Sequence, residues 1–135
     1  MPESPLRILL AEDDDGLASL VQTILADDGR FVVVGRATTG NDAVAMCAEH
    51  EPDMVLMDIS MPGSNGIDAT RAIHARDAAQ HVVIYTGSDE YGDVARADDA
   101  GAVGYLHKGA LTSPELAEAL QVLHRNYVST VPAPD

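Results

Sequence analysis

The sequence predicts an α/β fold: five parallel strands in one sheet, doubly wound by helices as (βα)5 into a three-layer sandwich. Three observations predict it. Five short apolar runs, rich in β-branched residues, recur along the chain, each bounded by charged, glycine or proline residues, as strands buried on both faces should be. Segments with apolar residues at helical spacing separate these runs. With 135 residues, the chain suits a single core rather than two.

The strand runs are 6–11 (LRILLA), 31–35 (FVVVG), 54–57 (MVLM), 82–85 (VVIY) and 103–106 (VGYL). After the first strand, Leu17, Leu20, Val21, Ile24 and Leu25 form an i, i+3, i+4, i+7, i+8 stripe that must face the sheet. Asp13, Asp14 and Asp15 precede it and suit the positive end of a helix dipole, while Asp28-Gly29 closes it. A second helix is expected over 41–50, stopped before Pro52, and a third over 67–76 after the turn at 62–66 (PGSNG). The fourth, around 89–100, is the weakest amphipath, with Gly92, four aspartates (Asp89, Asp93, Asp98, Asp99) and only Val94 and alanines to anchor it. Ser113-Pro114 reads as a cap and first helical residue for the last helix, which carries Leu116, Leu120 and Leu123. The pattern assigns 1–125 to the domain and 126–135 (NYVSTVPAPD) to a flexible tail or the start of a truncated linker.

Composition narrows the function. The formal net charge of −14 repels phosphate backbones and anionic lipid, so the chain is expected to bind neither nucleic acid nor membrane directly. An apolar content of 46% in periodic blocks argues against disorder. The single cysteine, Cys47, allows no intrachain disulfide and reads as a small buried hydrophobe. No signal peptide or membrane span is legible, which makes the cytoplasm the expected location. The five histidines lack paired ligand spacing, so no zinc site is expected.

In open parallel α/β folds, ligands sit beyond the carboxyl ends of the strands. There the sequence delivers Glu12, Asp13 and Asp14 after the first strand, Asp58 after the third, Thr86 after the fourth and His107-Lys108 after the fifth. Neighbouring carboxylates repel one another unless a cation joins them, and hard oxygens with room for water describe a Mg2+ site. Lys108 is the only lysine among 8 basic residues. A compact ammonium on a flexible stem can move between Asp58 and an oxygen attached to it, which a planar guanidinium does less well. A hydroxyl at Thr86 can hydrogen-bond a new acceptor at Asp58.

The stretches ILLAEDDDGLASLV, VLMDISMPGSNGIDATRAI, VVIYTGSDE and GAVGYLHKG together resemble the receiver domain of two-component response regulators, the CheY-like fold, most closely its NarL/FixJ type. The resemblance covers residues 6 to about 124 and rests on five separated positions agreeing in order. It implies that Asp58 is the phosphoacceptor, that Glu12 and Asp13 are the acidic pair, and that Asp13, Asp58 and the Ser60 carbonyl hold Mg2+, with Glu12 acting mainly through water. It likewise implies that Lys108 is the motif lysine, Thr86 the switch hydroxyl and Tyr105 the switch aromatic. The implied partner is a sensor histidine kinase or phosphotransfer protein, with homodimerisation on phosphorylation as a further expectation. The implied role is a switch rather than an enzyme, with at most slow self-dephosphorylation. Two departures stand out: Gly109 where many receivers have proline after the lysine, and Glu-Asp rather than Asp-Asp as the acidic pair.

Rival classes fit less well. A dinucleotide-binding enzyme needs a glycine-rich turn after the first strand, where this chain has Glu12-Asp13-Asp14-Asp15-Gly16. An aspartyl-phosphate hydrolase of the haloacid-dehalogenase kind needs a carboxylic acid two residues after the nucleophile, where this chain has Ser60. A receiver within a transcriptional regulator is therefore the leading expectation, and a stand-alone relay receiver the alternative.

Overall fold

The computed structural model describes residues 4–62, 65–87 and 91–130. Five strands, β1 (Leu6–Ala11), β2 (Phe31–Ala37), β3 (Met54–Asp58), β4 (His81–Thr86) and β5 (Gly104–His107), form one sheet in the order β2-β1-β3-β4-β5. Every pairing is parallel. Helices α1 (Asp15–Asp28), α2 (Gly40–His50), α3 (Gly66–Arg76), α4 (Tyr91–Ala100) and α5 (Leu116–Thr130) alternate with them.

Strands β3 and β4 are buried along their whole length, as the apolar runs at 54–57 and 82–84 require, and their polar ends Asp58, His81 and Thr86 are buried with them. Alternate side chains serve opposite layers. Leu9, Val55, Met57 and Ile84 face a core closed by Ala43 and Cys47 of α2, Ile67 and Ile73 of α3, and Ala97 and Ala100 of α4. Ile8, Leu10, Leu56, Val83 and Tyr85 face the other, closed by Ala18, Val21 and Leu25 of α1 and Leu116 and Leu120 of α5. The helix ends follow local chemistry. Asp14 accepts from the Leu17 amide at the start of α1, and Gly29 ends that helix at φ 82°, a left-handed conformation that glycine adopts without strain. Thr39 and Asn65 cap α2 and α3 in the same way as Asp14.

Three expectations change. Strand β2 runs on to Ala37, two residues past the expected end, because its edge pairs with β1 as far as Ala11. Ser113-Pro114 does not open α5. The chain after β5 first makes a 3₁₀ helix, Lys108–Thr112, which ends at Ser113, and α5 starts at Leu116. Burial of Leu111 in the α1/α5 layer anchors that extra turn, which a cap-and-proline signal cannot foresee. Finally, α5 continues to Thr130, so the first five residues of the stretch expected to be a tail are helical. Residues 88–90, where the fourth helix was expected to begin, lie outside the described residues.

Candidate acidic site at the carboxyl ends of the strands

The order β2-β1-β3-β4-β5 changes winding direction beside β1, so the loops leaving β1 and β3 diverge and open a crevice at their carboxyl ends. Glu12 and Asp13 leave β1 there, and Asp58 ends β3. Carboxylate oxygens of these three residues lie within 4.8 Å of one another, the one such cluster among the described residues. Asp13 is exposed, whereas Glu12 is fully buried and Asp58 is 2% exposed.

Each buried oxygen has an assigned donor. The Ser60 amide donates to Asp58 Oδ1 at 3.0 Å, and Lys108 Nζ donates to Oδ2 at 3.3 Å. Glu12 Oε2 accepts from the Asp14 amide at 2.9 Å, while Oε1 accepts from the Tyr85 hydroxyl at 2.8 Å and lies 3.7 Å from Lys108 Nζ. Burial is the main reason the Glu12 carboxyl is held above its ordinary pKa; the donors from Asp14 and Tyr85 and the Lys108 charge oppose it, and Asp58 adds to it. Burial would lower the Lys108 ammonium, but the facing carboxylates of Asp58 and Glu12 outweigh that and hold it above the usual lysine value. Tyr85 is pushed far up by burial and by Glu12, so its phenol stays a proton donor. With all three acids ionised beside one ammonium, the site carries two surplus negative charges and only hard oxygen donors. That donor set fits a small divalent cation.

The other expected residues line the same end of the sheet. Thr86 closes β4 and is 2% exposed. Tyr105 of β5 is half-buried and packs on the layer that contains Ala97 and Ala100 of α4. Lys108 begins the 3₁₀ helix, which has only trans peptide bonds, and the Gly109 amide donates to His107 Nδ1. Asp14 is a helix cap outside the carboxylate cluster, and Asp15 pairs with Arg36 at 2.8 Å. Cys47 is buried, with its thiol pushed up to about 11 by desolvation.

A family model described as the response regulator receiver domain matches residues 8–121. The chain belongs to that family. Among curated relatives, the receiver is 40% identical over 105 residues to the response regulator UvrY of Escherichia coli, covering 78% of this chain and 48% of that protein. It is 38% identical over 104 residues to the transcriptional regulatory protein PdtaR of Mycobacterium tuberculosis, covering 77% and 50%. The chain thus spans about half the length of the curated relatives it matches. A LuxR-family two-component response regulator from an Aurantimonas species superposes on the receiver with a TM-score of 0.84 at 31% identity, covering 91% of this chain and 87% of that one. The signal receiver domain of the putative response regulator NarL from Mycobacterium tuberculosis gives 0.82 at 26% identity, covering 90% and 98%. No helix among the described residues of the receiver is long and apolar enough to cross a membrane.

Three residues at the site escaped the sequence reading. Tyr85 read as one more apolar strand position, although its hydroxyl was a signal, since a buried tyrosine needs a partner. Gly66 read only as part of a turn. Its amide donates to the Ile59 carbonyl, and a Cβ there would collide with the Asp58 carbonyl, so α3 starts against the Asp58 backbone. Arg36 lies past the expected end of β2, and no local sequence signal marks it.

Proposed function

We propose that this receiver accepts a phosphoryl group on Asp58 and changes its partner-binding or dimerisation surface in response. The observation that carries the reading is the state of Asp58: nearly dry, with one oxygen fixed by the Ser60 amide, the other facing Lys108, and the Glu12-Asp13 pair alongside. An oxygen of Asp58 attacks the phosphorus of a donor phosphohistidine, the P–N bond breaks, and the imidazole nitrogen leaves and takes a proton. The new bond is an acyl phosphate.

Asp13, Asp58 and the Ser60 carbonyl would hold Mg2+, with Glu12 reaching it through water. When bound, the ion would supply positive charge to offset that on the transferring oxygens. The chain's own residues do the rest. The Ser60 amide orients the nucleophile, and Lys108 neutralises the product. The acyl phosphate adds about 1.5 to 2 negative charges by analogy with other phosphorylated side chains. Lys108 and the Thr86 hydroxyl then turn to its oxygens, and Tyr105 follows into the space that Thr86 leaves. That movement reshapes the surface of α4, β5 and α5. The phosphodonor is a sensor histidine kinase or phosphotransfer protein in the cytoplasm, and the receiver works as a switch with at most slow self-dephosphorylation. The relatives named as regulators support a place within a transcriptional regulator, where an attached domain and not this acidic chain contacts DNA.

Incubation with Mg2+ and a small acyl phosphate should add one phosphoryl mass to the wild type and none to Asp58→Asn. A label that persists in Asp58→Asn rejects the assignment. Asp13→Asn should weaken Mg2+ binding far more than Asp42→Asn, at an exposed acid in the first turn of α2 outside the cluster, and equal losses would remove Asp13 from the metal site.

A further inference from the structure

We infer that Arg36 is a positioning residue for the metal site: its guanidinium clamps the β1–α1 loop so that Asp13 is presented to the cation. The inference rests on the proposed Mg2+ reading and adds to it a residue at the far edge of the sheet.

The clamp has two jaws. Arg36 Nε donates to the Glu12 carbonyl at 3.0 Å, and the Glu12 amide donates to the Ala37 carbonyl at 2.9 Å, so both ends of residue 12 are tied to the end of β2. Arg36 NH1 donates to Asp15 Oδ1 at 2.8 Å, which fastens the first residue of α1. Asp13 lies between these anchors, and Asp14 is fixed by its own amide on Glu12 Oε2 and by its cap on the Leu17 amide. The one exposed acid of the cluster therefore sits on a backbone held from both sides. The Arg36 side chain is half-buried, at 23% exposed, and reaches from there to an Asp15 carboxylate that faces solvent.

A defect in the sheet aims it. Ile8 pairs with Val33 but Leu9 pairs with Gly35, so Val34 is an extra residue in β2. Before this bulge, Phe31 and Val33 face the α1 layer, and strict alternation would send residue 36 to the opposite, α2 side. The bulge reverses the parity. Gly35 meets Met46 of α2, and Arg36 turns to α1 and the loop that carries the acids. A planar fork spanning a carbonyl and a carboxylate is a task lysine does not match.

Two effects of Arg36 on a cation have opposite sign, which makes the inference testable. As a positive charge near the cluster it weakens Mg2+ binding; as a clamp it strengthens it. Mg2+ affinity would be measured by titration calorimetry on wild type, Arg36→Lys and Arg36→Met, with amide hydrogen exchange at Glu12 and Asp14 in metal-free protein. If the clamp dominates, both variants bind Mg2+ about tenfold more weakly, in the range seen when groups supporting metal ligands are removed. Their Glu12 and Asp14 amides exchange faster without metal, and saturating Mg2+ restores the rate of acyl-phosphate labelling to within about twofold of wild type. Tighter binding by Arg36→Met with wild-type binding by Arg36→Lys would show charge alone and overturn the inference, as would unchanged affinity in both. Should Arg36→Met not fold, Arg36→Lys decides alone: weaker binding with faster exchange supports the clamp, and wild-type values reject it. Failure of wild type to bind Mg2+ at all would instead sink the underlying metal reading.

Discussion

The Tyr85 hydroxyl donates to Glu12 Oε1 at 2.8 Å while also reaching the Ala11 carbonyl at 3.1 Å, so a core phenol supports a buried carboxylate from behind. Tyr85→Phe keeps the ring and removes the donor. Its expected cost is about 1–3 kcal/mol, the range for leaving a buried polar group short of a partner, read as a lower denaturation midpoint in urea. An unchanged midpoint would mean that the phenol is not needed by Glu12.

Glu12 itself costs stability at neutral pH. Its folded pKa is raised, first by burial, so the folded state holds this proton more tightly than the unfolded chain does. The contribution is complete below the unfolded value and lost as pH rises through the folded one. Glu12→Gln should therefore raise Tm at pH 7, with a gain that shrinks toward pH about 4. Its carbonyl can still accept from Asp14, and its NH2 can donate to Tyr85. Mg2+ affinity should fall in the same variant. A Tm gain that is equal at both pH values would contradict the burial argument.

Gly66→Ala tests the seat of Asp58. The added methyl meets the Asp58 carbonyl rather than a flexible side chain, so backbone must move. Overpacking of this kind costs about 1–3 kcal/mol, and acyl-phosphate labelling of Asp58 should slow with it. Full labelling at wild-type stability would show that α3 and the Asp58 loop separate freely.

At the opposite end of the sheet, His81 and His124 approach Nδ1 to Nδ1 at 2.7 Å, so one must donate and the other accept. Burial and then His124 hold His81 below the usual histidine value; His74 adds to this, while Asp53 opposes it. Because folding disfavours the charged form, this contribution is complete above the unfolded value of about 6.5 and lost as pH falls toward the folded one. Tm should drop more in wild type than in His81→Gln between pH about 7.5 and 5. Parallel curves would show that the pair does not titrate in this range.

Thr86→Ala separates chemistry from response. On the proposed reading Thr86 answers to the product and is not asked to stabilise the transferring charge, so the labelling rate should stay within about threefold of wild type. The change in amide exchange over α4 and β5 that follows phosphorylation should shrink. Loss of labelling would make Thr86 part of the transfer itself.

The strands, the first three helices and the cluster of strand-end acids were legible because each is written in local pattern. Buried parallel strands need continuous apolar runs, Asp14 precedes its helical stripe, and Gly29 ends it. The start of α5 was less legible: Ser113-Pro114 carries a genuine cap signal, but Leu111 is drawn into the α1/α5 layer and extends the preceding turn. Tyr85 and Arg36 were hidden for a related reason. Their partners, Glu12 and Asp15, are 73 and 21 residues away along the chain.

Sequence by itself determined that this is a doubly wound parallel α/β chain with Glu12, Asp13, Asp58, Thr86 and Lys108 at its strand ends, because buried strands and strand-end loops are specified residue by residue. Only the tertiary structure decided which oxygen each donor holds, that Tyr85 stands behind Glu12, and that a single extra residue in β2 turns Arg36 toward the acids. Side-chain direction in a strand depends on counting from a pairing register, and register exists only once two strands have met.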